Sequence, residues 1–215
     1  MKLLKNILLI VLCCILLAGC AKPATPEEKQ AIQEVIKAYD MAYYNWDMEG
    51  LSQCVVDDYP LEDTEVMLRN AMNVYVEQGD ILLEDIDKFL EIEKKYYQRG
   101  AKQLQYRGWN ITVSGDDATA LVTYGYPNVD ADIPAYGEEL TRYRTELFMS
   151  VCGMDEATAK ASLSSEEFSS VYLQVTELDY ARRSENVDYI EDTVELRLQR
   201  IDGKWKIAEL VLPEE

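Results

Sequence analysis

Residues 104–126, LQYRGWNITVSGDDATALVTYGY, decide the fold. Leu104 and Tyr106 alternate on one parity, and Trp109, Ile111 and Val113 alternate on the other. A period of two belongs to a β-strand with one buried face. A one-residue slip reverses the face of every side chain beyond it, so the change of parity predicts a β-bulge at Gly108. Gly115-Asp116-Asp117 supplies a turn, after which Ala120, Val122, Tyr124 and Tyr126 share one face. The stretch is predicted to be a strand hairpin.

A second hairpin closes the chain. Val194, Leu196 and Leu198 alternate, Asp202-Gly203 makes a two-residue turn, and Trp205, Ile207 and Val211 follow. Upstream, Thr25-Pro26-Glu27-Glu28 combines an N-cap, a first-turn proline and a capping box. Ile32, Val35, Ile36, Tyr39, Ala42, Tyr43 and Trp46 then recur at helical spacing. Two more helical stretches run from Pro60 to Gly79 and on to Gly100. Residues 127–185 read as mainly helical, with a second capping box at Ser164 to Glu167. The expected class is α+β: N-terminal helices packed on a curved antiparallel sheet of two hairpins, with a helical insert between the hairpins. The expected organisation is a leader over 1–19, a tether over 20–26 and one domain over 27–215.

The chain has 215 residues, 40 Asp and Glu against 21 Lys and Arg, no His and five Cys. A net charge of −19 argues against nucleic acid, which is bound by basic patches. The absence of His excludes Ser-His-Asp and Cys-His catalysis and His-ligated metals. No Gly-rich phosphate loop is present, and no cofactor is expected.

The first twenty residues, MKLLKNILLIVLCCILLAGC, are an address. Lys2 and Lys5 precede an apolar run from Ile7 to Leu17, too short to span a bilayer and suited to a signal peptide. Leu17-Ala18-Gly19-Cys20 resembles the lipobox of bacterial lipoproteins. The resemblance implies cleavage before Cys20, with Leu17, Ala18 and Gly19 recognised by the peptidase. It also implies acyl chains, palmitate among them, on Cys20. Such a protein is lipid-anchored at the extracytoplasmic face of the cell membrane. Residues 21–26, AKPATP, then read as a stiff tether.

The stretches YDMAYYNWDMEGL (39–51) and RIDGKWKIAELVL (200–212) resemble the nuclear-transport-factor-like, or ketosteroid-isomerase-like, cone fold. They also resemble lipoproteins of unknown function built on it. The resemblance implies a sheet wrapped around helices, with a cavity.

Four constellations are candidates for chemistry. Tyr39, Tyr43, Trp46, Trp109, Tyr124 and Tyr126 are expected to line a cavity or to pack as core. Glu209, counted outward from Asp202-Gly203, is expected opposite Leu196 on the apolar face, as an inward acid or base. Asn128, Asp130, Asp132 and Glu139 match part of an EF-hand-like Ca²⁺ loop; Ile133 replaces its glycine, and the alternative is a polar turn. Cys54 and Cys152 are either a disulfide or two buried thiols. The leading reading is a non-enzymatic envelope lipoprotein that binds a small ligand or an envelope protein. The rivals are an isomerase or lyase using Glu209, and a solute-binding receptor.

Overall fold

A computed structural model describes residues 22–128, 137–185 and 188–211. Among them are seven helices and a curved, open, five-stranded antiparallel sheet, so the α+β class holds. The order is β1 (Lys22–Pro23), α1 (Pro26–Asn45), α2 (Met48–Cys54), α3 (Thr64–Gln78), α4 (Ile86–Gln103), β2 (Gln105–Ser114), β3 (Asp117–Pro127), α5 (Gly137–Cys152), α6 (Glu156–Ser162), α7 (Ser165–Glu185), β4 (Tyr189–Ile201) and β5 (Lys204–Val211). Strands neighbour one another in chain order. Lys22 and Pro23, read from the sequence as tether, pair with Val113 and Thr112 at the sheet edge.

Local chemistry sets the element boundaries. The Thr25 hydroxyl accepts from Glu28 N–H, and the Glu28 carboxylate accepts from Thr25 N–H, which starts α1 with a complete capping box. Ser164 and Glu167 do the same for α7. Trp46, at φ 57°, ends α1 in the left-handed conformation. The β4–β5 turn places Asp202 and Gly203 at φ 50° and 78°, the positive pair that a two-residue hairpin turn requires.

Two cores result. In the first, α1 lies on the sheet and buries Ile32 and Ile36 completely against Ile111, Val113, Ala120, Val122, Leu198 and Ile207. Each such aliphatic side chain contributes about 1.5–3 kcal/mol of burial. The second is helical. Residues from α3, α4 and the insert helices α5–α7 meet around Phe148 and Phe168, whose rings stack at 6.1 Å. The insert therefore has a partner of its own. It packs on α3 and α4, and α4 also contacts α1 and β3.

Candidate ligand cleft

The sheet carries two bulges, and together they make the site. In β2, Tyr106 pairs with Tyr124 and Gly108 with Thr123, leaving Arg107 as the extra residue. This is the bulge expected at Gly108. It turns both Tyr106 and Trp109 toward the core side, where their rings stack at 5.3 Å. A strand without it would send Tyr106 to the opposite face.

The second bulge was not expected. Leu198 pairs with Ile207, but Arg197 pairs with Glu209 and Leu196 with Leu210, so Ala208 is the extra residue. The register beyond Ala208 is thereby moved by one. Glu209 is turned outward, where its carboxylate is 54% exposed and binds Arg197 at 2.8 Å. The expectation of an inward Glu209 is corrected on this ground: the ideal hairpin count fails at the bulge. Leu210 takes the inward place, opposite Leu196.

The inward carboxylate is Asp40. It sits on α1 one turn beyond the fully buried Ile36, so helical periodicity carries it toward the sheet. The Tyr106 hydroxyl donates to Asp40 Oδ2 at 2.8 Å, and the Tyr124 hydroxyl donates to the same oxygen at 3.2 Å. Nothing among the described residues hydrogen-bonds Oδ1. Burial pushes the Asp40 carboxyl up from 3.8 to about 6, against the lowering effect of the two tyrosyl donors. The two phenols are in turn pushed upward, first by burial and next by the Asp40 charge.

Asp40 lines a cleft of about 320 Å³ between α1 and the sheet. The other walls are Tyr39, Tyr43 and Tyr44 from α1, Tyr124 and Tyr126 from β3, Leu104 before β2, and Asp192, Val194, Leu196 and Leu210 from β4 and β5. Such a volume lies at the small end of ligand sites. Tyr43, at 40% exposure, and Asp192 stand at the rim. A neighbouring cavity of about 230 Å³ shares Tyr44 and Tyr126 and is also lined by Tyr96, Tyr97 and Arg99.

Of the six aromatic residues singled out in the sequence, Tyr39, Tyr43, Tyr124 and Tyr126 thus converge on one cleft. Trp46 does not. Its left-handed backbone takes it out of the α1 stripe, and its ring meets Tyr97 edge-on at 5.7 Å and Lys94 at 5.6 Å. Trp109 packs against the sheet core beside Tyr106, outside the cleft lining.

The remaining candidates separate. Cys54 and Cys152 are free thiols, which corrects the disulfide alternative. Cys54 is buried at the end of α2, next to the first core; Cys152, at the end of α5, packs on the second and donates to Phe148 O at 3.3 Å. Of the Ca²⁺ candidates, Asp130 and Asp132 lie outside the described residues. Asn128 N–H donates to Asp188 O, and Glu139 lies in the first turn of α5. Among the described residues, no cluster of three or more Cys or carboxylate side chains is placed to hold a metal. The address residues Leu17, Ala18, Gly19 and Cys20 also lie outside the described residues. No described helix is long and apolar enough to cross a membrane.

Asp40 was missed in the sequence. Its signal was an acid inside the aromatic stripe, with Ile36 four residues before it and Tyr43 and Tyr44 three and four after it.

No protein-family description matches the chain, and no curated protein does. Among solved structures it is similar to ycdA of Bacillus subtilis subsp. subtilis strain 168, a crystal structure that bears the name of a lipoprotein. The two are 16% identical with a TM-score of 0.41, over 86% of this chain and 56% of that one. The chain thus spans little more than half the length of that neighbour.

Proposed function

We propose that the chain is an envelope lipoprotein whose α1–sheet cleft binds a small ligand. The observation that carries the binding reading is Asp40: a half-buried carboxylate, held by two tyrosyl hydroxyls on one oxygen, in a cleft that is otherwise aromatic and aliphatic. Ligand sites pair apolar walls with a few placed polar groups in this way. The anchoring part rests on Leu17-Ala18-Gly19-Cys20 behind its apolar run. Acyl chains on Cys20 would hold the domain at the outer face of the cell membrane. We read the α1–sheet unit as a cone-like fold, since a helix crosses an antiparallel sheet and leaves a cleft at one end.

Native mass spectrometry on protein extracted gently from its own membrane tests the binding reading. A retained mass of a few hundred daltons, lost on denaturation and lost in D40N, is the expected result. A bare subunit in the wild type refutes it. For the anchor, C20A is expected to accumulate as uncleaved precursor that incorporates no labelled fatty acid. A mutant cleaved to mature size overturns that part.

One observation favours proton transfer as a second reading: Asp40, at about 6, is matched to exchange a proton near neutral pH. Asp40 then replaces Glu209 as the inward carboxylate. The recovered ligand, incubated with protein in D₂O, should gain carbon-bound deuterium with the wild type and none with D40N. Equal labelling in both removes the enzyme reading.

A further inference from the structure

We infer that the cleft is selective for organic cations, such as a quaternary or protonated alkylammonium group, over neutral and anionic ligands of the same size. This rests on the binding reading above and names its ligand class. Five tyrosine rings line the cleft, from two elements that face each other: Tyr39, Tyr43 and Tyr44 on α1, Tyr124 and Tyr126 on β3. The face of an aromatic ring is negative, and a cation within about 6 Å of it is attracted. Several rings around one space are the arrangement that recognises methylated ammonium groups, because such groups are too weakly hydrated to be held by water and too large for a single ion pair.

The charges agree with the rings. The two ionisable side chains in the lining other than tyrosine are both acids: Asp40 in the wall and Asp192 at the rim. Among the described residues, no Lys or Arg lines the cleft; Arg99 belongs to the neighbouring cavity. Both tyrosyl donors reach Oδ2 of Asp40, so Oδ1 remains for a ligand N–H or for close approach of a positive methyl group. An anion would meet two carboxylates and no cationic side chain among the described lining residues, and the overall charge of −19 raises the concentration of cations near the surface while depleting anions. Asp192 and Tyr43 are exposed at the rim and Asp40 and Tyr124 are partly buried in the wall, so the cleft carries a carboxylate at both depths.

The test is isothermal titration calorimetry on the processed full chain in a non-ionic detergent. The probes are benzyltrimethylammonium, benzyl alcohol and benzoate, which share a ring and differ in charge. Benzyltrimethylammonium is expected to bind saturably and benzoate not at all, with benzyl alcohol at least about tenfold weaker than the cation. D40N should weaken the cation about tenfold or more and leave benzyl alcohol unchanged. D192N and Y43A alter exposed rim residues, are expected to fold, and should each weaken the cation by a smaller factor; they decide the matter if D40N does not fold. If benzyl alcohol or benzoate binds as tightly as the cation, the charge selection is wrong and the binding reading survives. If no probe binds and native mass spectrometry shows a bare subunit, both fall together.

Discussion

Replacing Asp40 by Asn tests the physics of the cleft without knowledge of its ligand. The carboxyl titrates at 3.8 when exposed and is pushed up to about 6 by burial. Each pH unit between those values corresponds to about 1.4 kcal/mol, which sets a ceiling of about 3 kcal/mol. Asp40 is only half-buried, and solvent screening reduces this to about 1–2 kcal/mol. The sign follows from proton linkage. Below 3.8 the carboxyl is protonated in both folded and unfolded chains and carries no penalty. As pH rises the unfolded chain releases its proton first, so stability falls, and above about 6 the folded chain bears the full burden of a buried charge. Asn cannot ionise, and its amide oxygen still accepts from Tyr106 and Tyr124. Urea unfolding of wild type and D40N, followed by circular dichroism at pH 4 and pH 7, isolates the effect because every other carboxylate is common to both. Five groups coupled to the Asp40 charge do not titrate in that window. The phenols of Tyr39, Tyr44, Tyr106 and Tyr124 and the thiol of Cys54 are all raised above their ordinary values. The stability of wild type relative to D40N should therefore drop by about 1–2 kcal/mol between pH 4 and pH 7. A difference that is flat with pH, or rises, refutes the reading of Asp40 as a carboxylate destabilised by burial.

Three further outcomes follow from the same geometry. E209Q should change unfolding free energy in urea by less than about 0.5 kcal/mol, because Glu209 and Arg197 form an exposed pair. F148A, which empties a fully buried ring site in the helical core, should destabilise the chain by about 3–5 kcal/mol in the same assay. With Cys20 acylated, a colorimetric thiol reagent should titrate two thiols on the unfolded processed chain under non-reducing conditions; in the folded chain Cys152 should react well before the buried Cys54.

The fold class and the element types were legible because they depend on local patterns. Both capping boxes, the Asp202-Gly203 turn and the inward face of β3 stand in the sequence as spacing alone, and each holds in the structure. The partners of the insert were not legible. Leu147, Phe148, Phe168 and Tyr172 show a helical stripe, but a stripe does not name what it packs on. The expected arrangement put the N-terminal helices on the sheet, whereas α3 shares its core with α4–α7 instead.

The two bulges explain why one half of the cleft was foreseen and the other was not. At Gly108 the slip separates large apolar residues, Tyr106 on one side and Trp109 on the other, and the parity visibly changes. At Ala208 it separates Ile207 from Leu210, with Glu209 between Ala208 and Leu210. Placing Glu209 inward in an unbroken strand puts Val211 inward as well; placing Leu210 inward demands a bulge. Both patterns contain one apolar residue at the decisive place, so periodicity does not choose between them. The choice is made by desolvation. An inward Glu209 would lie against Leu196 and give up Arg197, whereas outward it meets that guanidinium in solvent. Asp40 bears its partial burial because Tyr106 and Tyr124 donate to it, and Tyr106 is there only because of the first bulge. One bulge thus brings in a donor for an acid on the helix, and the other turns an acid of the sheet out to Arg197.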